Sequence, residues 1–472
     1  MSEGALFPAS EPRRAVDDRL GQALAAARDR VNRGSVVPTI DRARFGEELA
    51  AFDFENAVPL QQALDWTIAQ METGLVHVAH PRYFGLFNPT PTFPAQCADR
   101  VAAVFNPQLA TSTTSPAAVA IEGHVVRAVA RRLGMPREAF GHFTTGGAEA
   151  NYTALLLALT RACPAFASDG ARALAGDPTF YVSRESHLAW FKIAHQAGIG
   201  RKAVRLVATD GTGRMDMRAL SEAVRTDLDR GCSPVMVAAT AGTTNAGMID
   251  PLEPCAAFAR DAGLWLHVDA AWGGAVVASE PRRGLLAGIE QADSVTVDAH
   301  KWFAATMGCG MFATRWPSLL PTAFSVSTGY MPSRLTDDPY VTTIQWSRRF
   351  VGLRLFLSLA AAGWRGYAEH VERTLSLAER LRQLLSSRGW RVVNQSPLGV
   401  VCVEPPPTPG GVRAVVSHVL GSGKAWVSVA TFEGREVIRA CVTSGETTDD
   451  DIKVLVNCLQ DAVTPRSEDA QT

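Results

Sequence analysis

The chain lacks most of the features that announce a nucleotide, a metal or a membrane. None of its cysteines, at 97, 163, 232, 255, 309, 402, 441 and 458, forms a CxxC pair. That argues against zinc ligation and against a disulfide framework. Reduced thiols in core positions, and with them a cytoplasmic setting, are expected. No apolar run reaches the roughly 18 to 20 residues of a membrane helix. The opening MSEGALFPASEPRR shows no charged-then-apolar leader pattern. The formal net charge is −1 with no long basic block, so there is no electrostatic footprint for nucleic acid. No GK[ST] follows a glycine loop and no GxGxxG occurs, which removes the Walker and dinucleotide fingerprints. Internal repeats and low-complexity tracts are also missing.

What remains is an ordinary globular composition. The hydrophobic share is 47% and the charged share 20% over 472 residues, too long for one core, so two or more domains are expected. Residues Arg19 to Arg33 read as a solvated or partner-facing helix. Residues 57 to 78 carry a three-to-four spacing in Leu60, Ala63, Leu64, Ile68 and Met71. The segment His80 to Thr90 holds aromatics, a glycine and prolines and reads as an ordered loop. It could line a pocket or simply pack; Phe84 and Thr90 are its candidate substrate contacts. Ser115-Pro116 opens a helix to about Leu133.

From residue 178 strands and helices alternate. Strands are expected at 179–182, 203–207, 235–240, 264–268, 294–297 and 310–313, with helices near 188–197, 217–229 and 252–262. This rhythm predicts an α/β fold with a mostly parallel sheet between helices. A long helical pattern over 351–387 is interrupted at Gly363-Trp364-Arg365-Gly366. Strands near 390–393, 400–403 and 436–442, with helices near 412–420 and 449–462, predict a small C-terminal α+β domain. The polar residues from Pro465 read as a disordered tail.

The rest is organised around Leu266 to Trp302. One apolar run ends at Asp269 in His267-Val268-Asp269-Ala270-Ala271-Trp272, and the next ends before Asp298-Ala299-His300-Lys301-Trp302. Open α/β sheets bind ligands at the carboxyl ends of their strands. Lysine can hold a carbonyl cofactor as a Schiff base, and aspartate can pair with a pyridinium nitrogen, so the pair points to pyridoxal 5′-phosphate (PLP). Thr144-Thr145-Gly146-Gly147-Ala148-Glu149 precedes an apolar helix, the arrangement that offers backbone N–H groups and a helix dipole to an anion. Each feature alone is weak. A lone GG is an ordinary turn, a lone lysine a surface residue, and His187 before a helix a possible cap. Their order along the chain is what carries weight.

These motifs resemble the group II PLP-dependent amino-acid decarboxylases, which include aromatic amino-acid, histidine, glutamate and cysteine-sulfinate decarboxylases. HVDAAWGG and DAHKW are the most specific matches, and the resemblance covers roughly residues 60 to 465. It implies the aspartate-aminotransferase-like PLP transferase fold and a homodimer with active sites at the subunit interface. It implies an N-terminal helical segment (1–90) packed on the partner, a large cofactor domain (91–365), a small domain (366–465) and a tail (466–472). It assigns the Schiff-base lysine to Lys301, the pyridine-nitrogen partner to Asp269 and the ring-stacking residue to His187. It has Thr244 approach the cofactor and Gly147 and Ala148 give backbone donors to its phosphate, with His300 nearby and Gly146 also counted among the cofactor-binding residues. The chain departs from many relatives at Asp298, where they carry Asn, and a carboxylate beside a phosphate is unfavourable.

Tyr330, in a Gly-, Ser-, Pro- and Asp-rich stretch, is by resemblance the proton donor to the carbon left behind; alternatively it is a loop aromatic that only packs. Arg439, a charge in an apolar strand pattern, binds the substrate carboxylate or makes an interdomain salt bridge. Arg348-Arg349 is read as structural. The expected activity is decarboxylation of an L-amino acid to an amine, with no metal. An aromatic substrate ranks first and an acidic or other polar one second. An oxygen-dependent aldehyde synthase and a non-catalytic homologue are the alternatives.

Overall fold

The computed structural model describes residues 6–326 and 338–464. A seven-stranded sheet forms its centre: β1 (Phe140–Thr144), β2 (Pro178–Ser183), β3 (Val204–Val207), β4 (Ser233–Thr240), β5 (Trp265–Asp269), β6 (Ser294–Asp298) and β7 (Gly310–Thr314), in the order β1-β7-β6-β5-β4-β2-β3. The ladders joining β3, β2, β4, β5 and β6 are parallel, and β7 runs antiparallel to both β6 and β1. The expected mostly parallel sheet is therefore present. The six strands expected there lie within a few residues of their observed bounds.

β1 falls outside the expected strands. Its sequence, Phe-Gly-His-Phe-Thr, mixes glycine and histidine into a five-residue run, which hides the strand signal. It adds to the edge of the sheet through an antiparallel ladder with β7, and Gly141 sits where any Cβ would lie 1.9 Å from the Phe312 carbonyl oxygen.

Burial along β5 explains the centre of the sheet. All five of its residues are buried. Successive side chains face opposite sides of a strand. Leu266 and Val268 pack into one apolar cluster, and Trp265 packs into the other with Leu155, Ala158 and Phe180. The helix Gly147–Ala162 covers that second face with Ala150, Ala154, Leu155 and Leu157.

A second, four-stranded antiparallel sheet is built from β8 (Arg391–Val392), β9 (Val400–Glu404), β10 (Ser428–Phe432) and β11 (Arg435–Cys441), in the order β10-β11-β9-β8. The helices Gly411–Gly421 and Asp449–Val463 supply the apolar residues Val415, Val419, Ile452, Leu455 and Leu459 against it. A reciprocal cap between Thr448 and Asp451 starts the last helix. β10 also falls outside the expected strands; only Phe432 is buried on it, so it lacks a clear apolar period. The helix Gly352–Ser386 runs between the two sheets and breaks at Gly363 (φ 63°, ψ −179°), inside the expected interruption.

The N-terminal helix Ser10–Arg33 lies against its own chain. Arg30 pairs with Glu72 at 2.6 Å, Arg19 pairs with Asp65 at 2.9 Å, and Arg28 reaches Glu446 beyond the second sheet. Tyr330 and the tail 466–472 lie outside the described residues.

Candidate active site

β4, β5 and β6 end side by side. Thr240 pairs with Asp269 across one ladder, and Asp269 with Thr296 across the next. This brings Asp269, Asp298 and the residues just beyond them to one rim. A cavity of about 120 Å³ opens there, lined by Gly147, His187, Thr244, Asp269, Asp298 and Lys301 among others.

Asp269 is buried and hydrogen-bonded on both oxygens. Oδ1 accepts from the Ala271 backbone N–H at 3.1 Å, and Oδ2 accepts from Asn151 Nδ2 at 2.8 Å. Asn151 lies on the helix Gly147–Ala162, one turn after Gly147, so helical spacing puts both on one face.

Lys301 follows β6 by one turn, with its backbone N–H bonded to the Asp298 carbonyl at 3.1 Å. Its Nζ stands 3.1 Å from Asp298 Oδ2 and 5.6 Å from the centre of the Phe87 ring. The next segment is strained and clamped. Ala304 adopts φ 51°, a region costly for a residue with a Cβ. The buried Arg354 holds it from below: Nη1 donates to Met307 O at 2.8 Å, and Nε donates to Asp99 at 2.8 Å. Asp99 in turn accepts from the Thr306 hydroxyl at 2.5 Å.

Gly146 and Gly147 form a cradle free of side chains. A Cβ on Gly147 would lie 2.9 Å from Asp298 Oδ2 and 3.4 Å from Ala271 Cβ, and one on Gly146 would lie 3.7 Å from His300 Cε1. His300 Nδ1 accepts from the Cys309 N–H at 3.3 Å, so a neutral ring turns its Nε2 proton the other way, where Asp298 Oδ2 is 3.9 Å off. The first N–H groups of a helix have no intrahelical acceptor and favour an anion. A phosphate fits this cradle. Asp298 does not help it: its carboxylate is 3% exposed and its Oδ1 has no partner among the described residues.

The structure brings Gly147, Ala148, His187, Thr244, Asp269 and Lys301 to one cavity; Gly146 and His300 do not line it and lie against each other beside Gly147. His187 is exposed on the open side. Its Nδ1 also accepts from the Ala189 N–H at 3.1 Å, so the residue is a cap as well as a lining group. Gly242, at φ 104°, lets Trp272 approach; a Cβ there would lie 2.6 Å from the indole.

Two of the expected substrate contacts do not reach this cavity. Phe84 is fully buried in the core of the second sheet, with backbone bonds to Trp426 and Cys441. The Thr90 hydroxyl is spent on the Ala79 carbonyl at 2.5 Å and lies near Ser444 Oγ at 3.3 Å. Neither lines the cavity. From the same loop Phe87 does, and its ring is stacked at 4.3 Å on Trp272, which stacks at 4.5 Å on Trp302. A loop has no side-chain period, so its inward residue is not readable from spacing; the signal was only its density of aromatics.

Arg439 on β11 is 2% exposed and makes no salt bridge among the described residues. Its Nε donates to Thr244 O at 2.7 Å and Nη1 donates to Gly85 O. Its guanidinium carbon lies 4.7 Å from the Phe87 ring centre, Nη2 has no hydrogen-bond partner among the described residues, and Arg439, like Phe84 and Thr90, does not itself line the cavity. The carbonyl of Gly85 is placed by close contact: a Cβ there would strike Trp426 at 2.2 Å.

The rim of the sheet thus gathers a lysine amine, a buried carboxylate and an anion cradle around one cavity. The pyridoxal-dependent decarboxylase conserved domain matches residues 54–404, and the chain belongs to that family, whose cofactor is PLP. It is 33% identical over 336 residues to the acidic amino acid decarboxylase GADL1 of Bos taurus, covering 69% of this chain and 64% of that protein. The chain thus spans under two thirds of that relative's length. It is 27% identical over 470 residues to the aromatic-L-amino-acid decarboxylase of Bacillus atrophaeus, covering 96% and 95%. Among solved structures, mouse CSAD in its apo form superposes with a TM-score of 0.88 at 25% identity, covering 95% of this chain and 99% of that one.

Proposed function

We propose that the chain is a PLP-dependent carboxy-lyase that removes the α-carboxylate of an L-amino acid as carbon dioxide and leaves an amine. The observation that carries this reading is one cavity facing an amine (Lys301), a buried carboxylate (Asp269) and an anion cradle without side chains (Gly146-Gly147). When bound, the cofactor supplies the electron sink that receives the pair left by the departing carboxylate. The chain supplies the rest. Lys301 is the covalent attachment point, and Asp298 holds its amine in place at 3.1 Å. With PLP bound, Asp269 would accept a hydrogen bond from the ring nitrogen, His187 would cover the ring face, and Ala148, Thr244 and His300 would complete the cofactor's surroundings.

Arg439, behind the cavity-lining Phe87, is the candidate partner of the substrate carboxylate, since its buried Nη2 donor has no partner among the described residues and is costly until something fills it. The stacked Phe87 and Trp272 exclude water from that side. Tyr330 delivers the proton to the carbon that has lost its carboxylate.

An aromatic L-amino acid is the first substrate reading. An acidic one is the second, favoured by the identity to a relative named as an acidic amino acid decarboxylase. We also propose a homodimer: Phe93, Val104 and Phe105 are 71%, 80% and 78% exposed on the helix Phe93–Phe105, an apolar patch suited to a second copy. In it the segment 1–90 contacts the partner, with the large and small domains dividing at 365/366. The free cysteines support a reducing, cytoplasmic setting, and among the described residues no helix is long and apolar enough to cross a membrane.

The test is a panel of L-amino acids incubated with PLP-loaded protein, measuring carbon dioxide, amine, aldehyde and peroxide. Carbon dioxide and amine in equal yield are expected. Aldehyde with peroxide would establish the oxygen-dependent reaction, and no turnover of any amino acid would leave a cofactor-binding homologue.

A further inference from the structure

We propose that Trp265, Ser294, His267 and Asn151 form a one-way hydrogen-bond relay that positions Asp269 as the acceptor for the cofactor's ring nitrogen. This rests on the PLP reading of the site. Trp265, His267 and Asp269 alternate along β5 and so share one face. Ser294 is the register partner of His267 on β6, which puts it on the same face. Asn151 reaches that face from the covering helix. All five side chains are buried.

The direction follows from the donors. The Trp265 indole can only donate, and it donates to Ser294 Oγ at 2.8 Å. The serine's own proton then goes to His267 Nδ1, also at 2.8 Å. A neutral ring is left with its proton on Nε2, 3.0 Å from Asn151 Oδ1. The asparagine is thereby turned so that Nδ2 donates to Asp269 Oδ2 at 2.8 Å. Burial keeps the ring neutral by lowering the His267 pKa to about 4. Each link passes a donor toward Asp269. Reversing the chain would set the Asn151 carbonyl oxygen against the Asp269 carboxylate, two acceptors with no proton between them.

The same helix therefore serves both ends of the cofactor. Gly147 at its start cradles the phosphate, and Asn151 one turn on holds the group that meets the ring. The relay residues act through Asp269; they are positioning residues. Their loss is expected to weaken recognition of the ring while leaving recognition of phosphate alone.

The test uses the full-length protein freed of cofactor. PLP affinity is measured by fluorescence quenching, and the affinity for inorganic phosphate by its competition with PLP. Asn151→Leu is expected to raise the PLP dissociation constant about tenfold, the loss of a hydrogen bond to a charged group. Ser294→Ala, two links away and a smaller change, is expected to move it in the same direction by about threefold. In both, phosphate competition stays at the wild-type value, and the visible band of the lysine-bound cofactor shifts. Unchanged PLP affinity in Ser294→Ala, or equal losses for PLP and phosphate, would overturn the relay. Failure of the wild type to bind PLP would instead overturn the function proposed above.

Discussion

Two aspartates end neighbouring strands of one sheet, and their surroundings differ. Asp269 closes β5 with both oxygens engaged, backed by four further side chains. Asp298 closes β6 with one oxygen near Lys301 and the other without a partner among the described residues. A buried carboxylate with every bond in place is built to stay as it is. A buried carboxylate with an unpaired oxygen is poised to change partner, because the missing bond is costly. The difference assigns them different work. On the function proposed above, Asp269 would be the permanent counterpart of the cofactor ring, whereas Asp298 would hold Lys301 until the cofactor arrives and then meet the phosphate as a like charge.

The largest expected effect comes from removing what the two carboxylates flank. Lys301→Ala is expected to abolish the visible band and to lower kcat by about 10²- to 10⁴-fold or more, the scale at which a positioned reacting side chain contributes. Asp269→Asn comes next, with kcat down roughly 10²- to 10³-fold, as for loss of a preorganised electrostatic partner. It would retain the lysine-bound band. If Asp269→Asn turned over normally, the distinction between the strand ends would fail.

Asp298→Asn tests the other side. Removing a like charge next to the phosphate is expected to tighten PLP binding about tenfold, read as a dissociation constant on cofactor-free protein. The same change removes the Lys301 ion pair, so the cofactor-free protein should melt at a slightly lower temperature. Weaker PLP binding in this variant would mean that the carboxylate assists the phosphate site.

Acid should loosen the Asp269 side. Burial lowers the His267 pKa from 6.5 to about 4. Between those values the unfolded chain holds a proton that the folded chain does not. Stability therefore falls as pH drops through that window, by about 1.4 kcal/mol for each pH unit crossed. His80 and His370, lowered to about 4, and His142, lowered to about 3, add in the same direction, each by desolvation. Asp250, raised by burial from 3.8 to about 6, opposes them: it is protonated in the folded chain first, which favours the fold as pH falls through that range. With more groups on the destabilising side, the melting temperature should decline from pH 7 to pH 4.5. A flat profile would contradict the neutral, buried state of His267.

The two strand ends also differ in how readable they were. Asp269 and Lys301 sit at the ends of apolar runs whose period and length mark buried strands, so their convergence on one rim was legible. The Gly146-Gly147 pair was a weak signal by itself, since glycine pairs are ordinary turns, and it gained meaning only from its place in the order of motifs. The partners of those residues were not legible. Asn151 reads as one more polar residue in a helix, and its meaning depends on which face of the sheet the helix covers. His267 and Ser294 meet only because of the β5–β6 register, which no local pattern reveals. Phe87 could not be told from Phe84 without the loop's path, which is set by the contact of Gly85 with Trp426, just before β10. β1 was hidden by its glycine and histidine, and it forms by pairing with β7, far along the chain.

The central claim is that Lys301, between these two carboxylates, carries the cofactor. The most direct measurement is borohydride reduction of PLP-loaded protein followed by mass spectrometry of its peptides. A single pyridoxyl label on Lys301 is expected. A label confined to Lys192, Lys202, Lys424 or Lys453, or no label at all, would contradict the account.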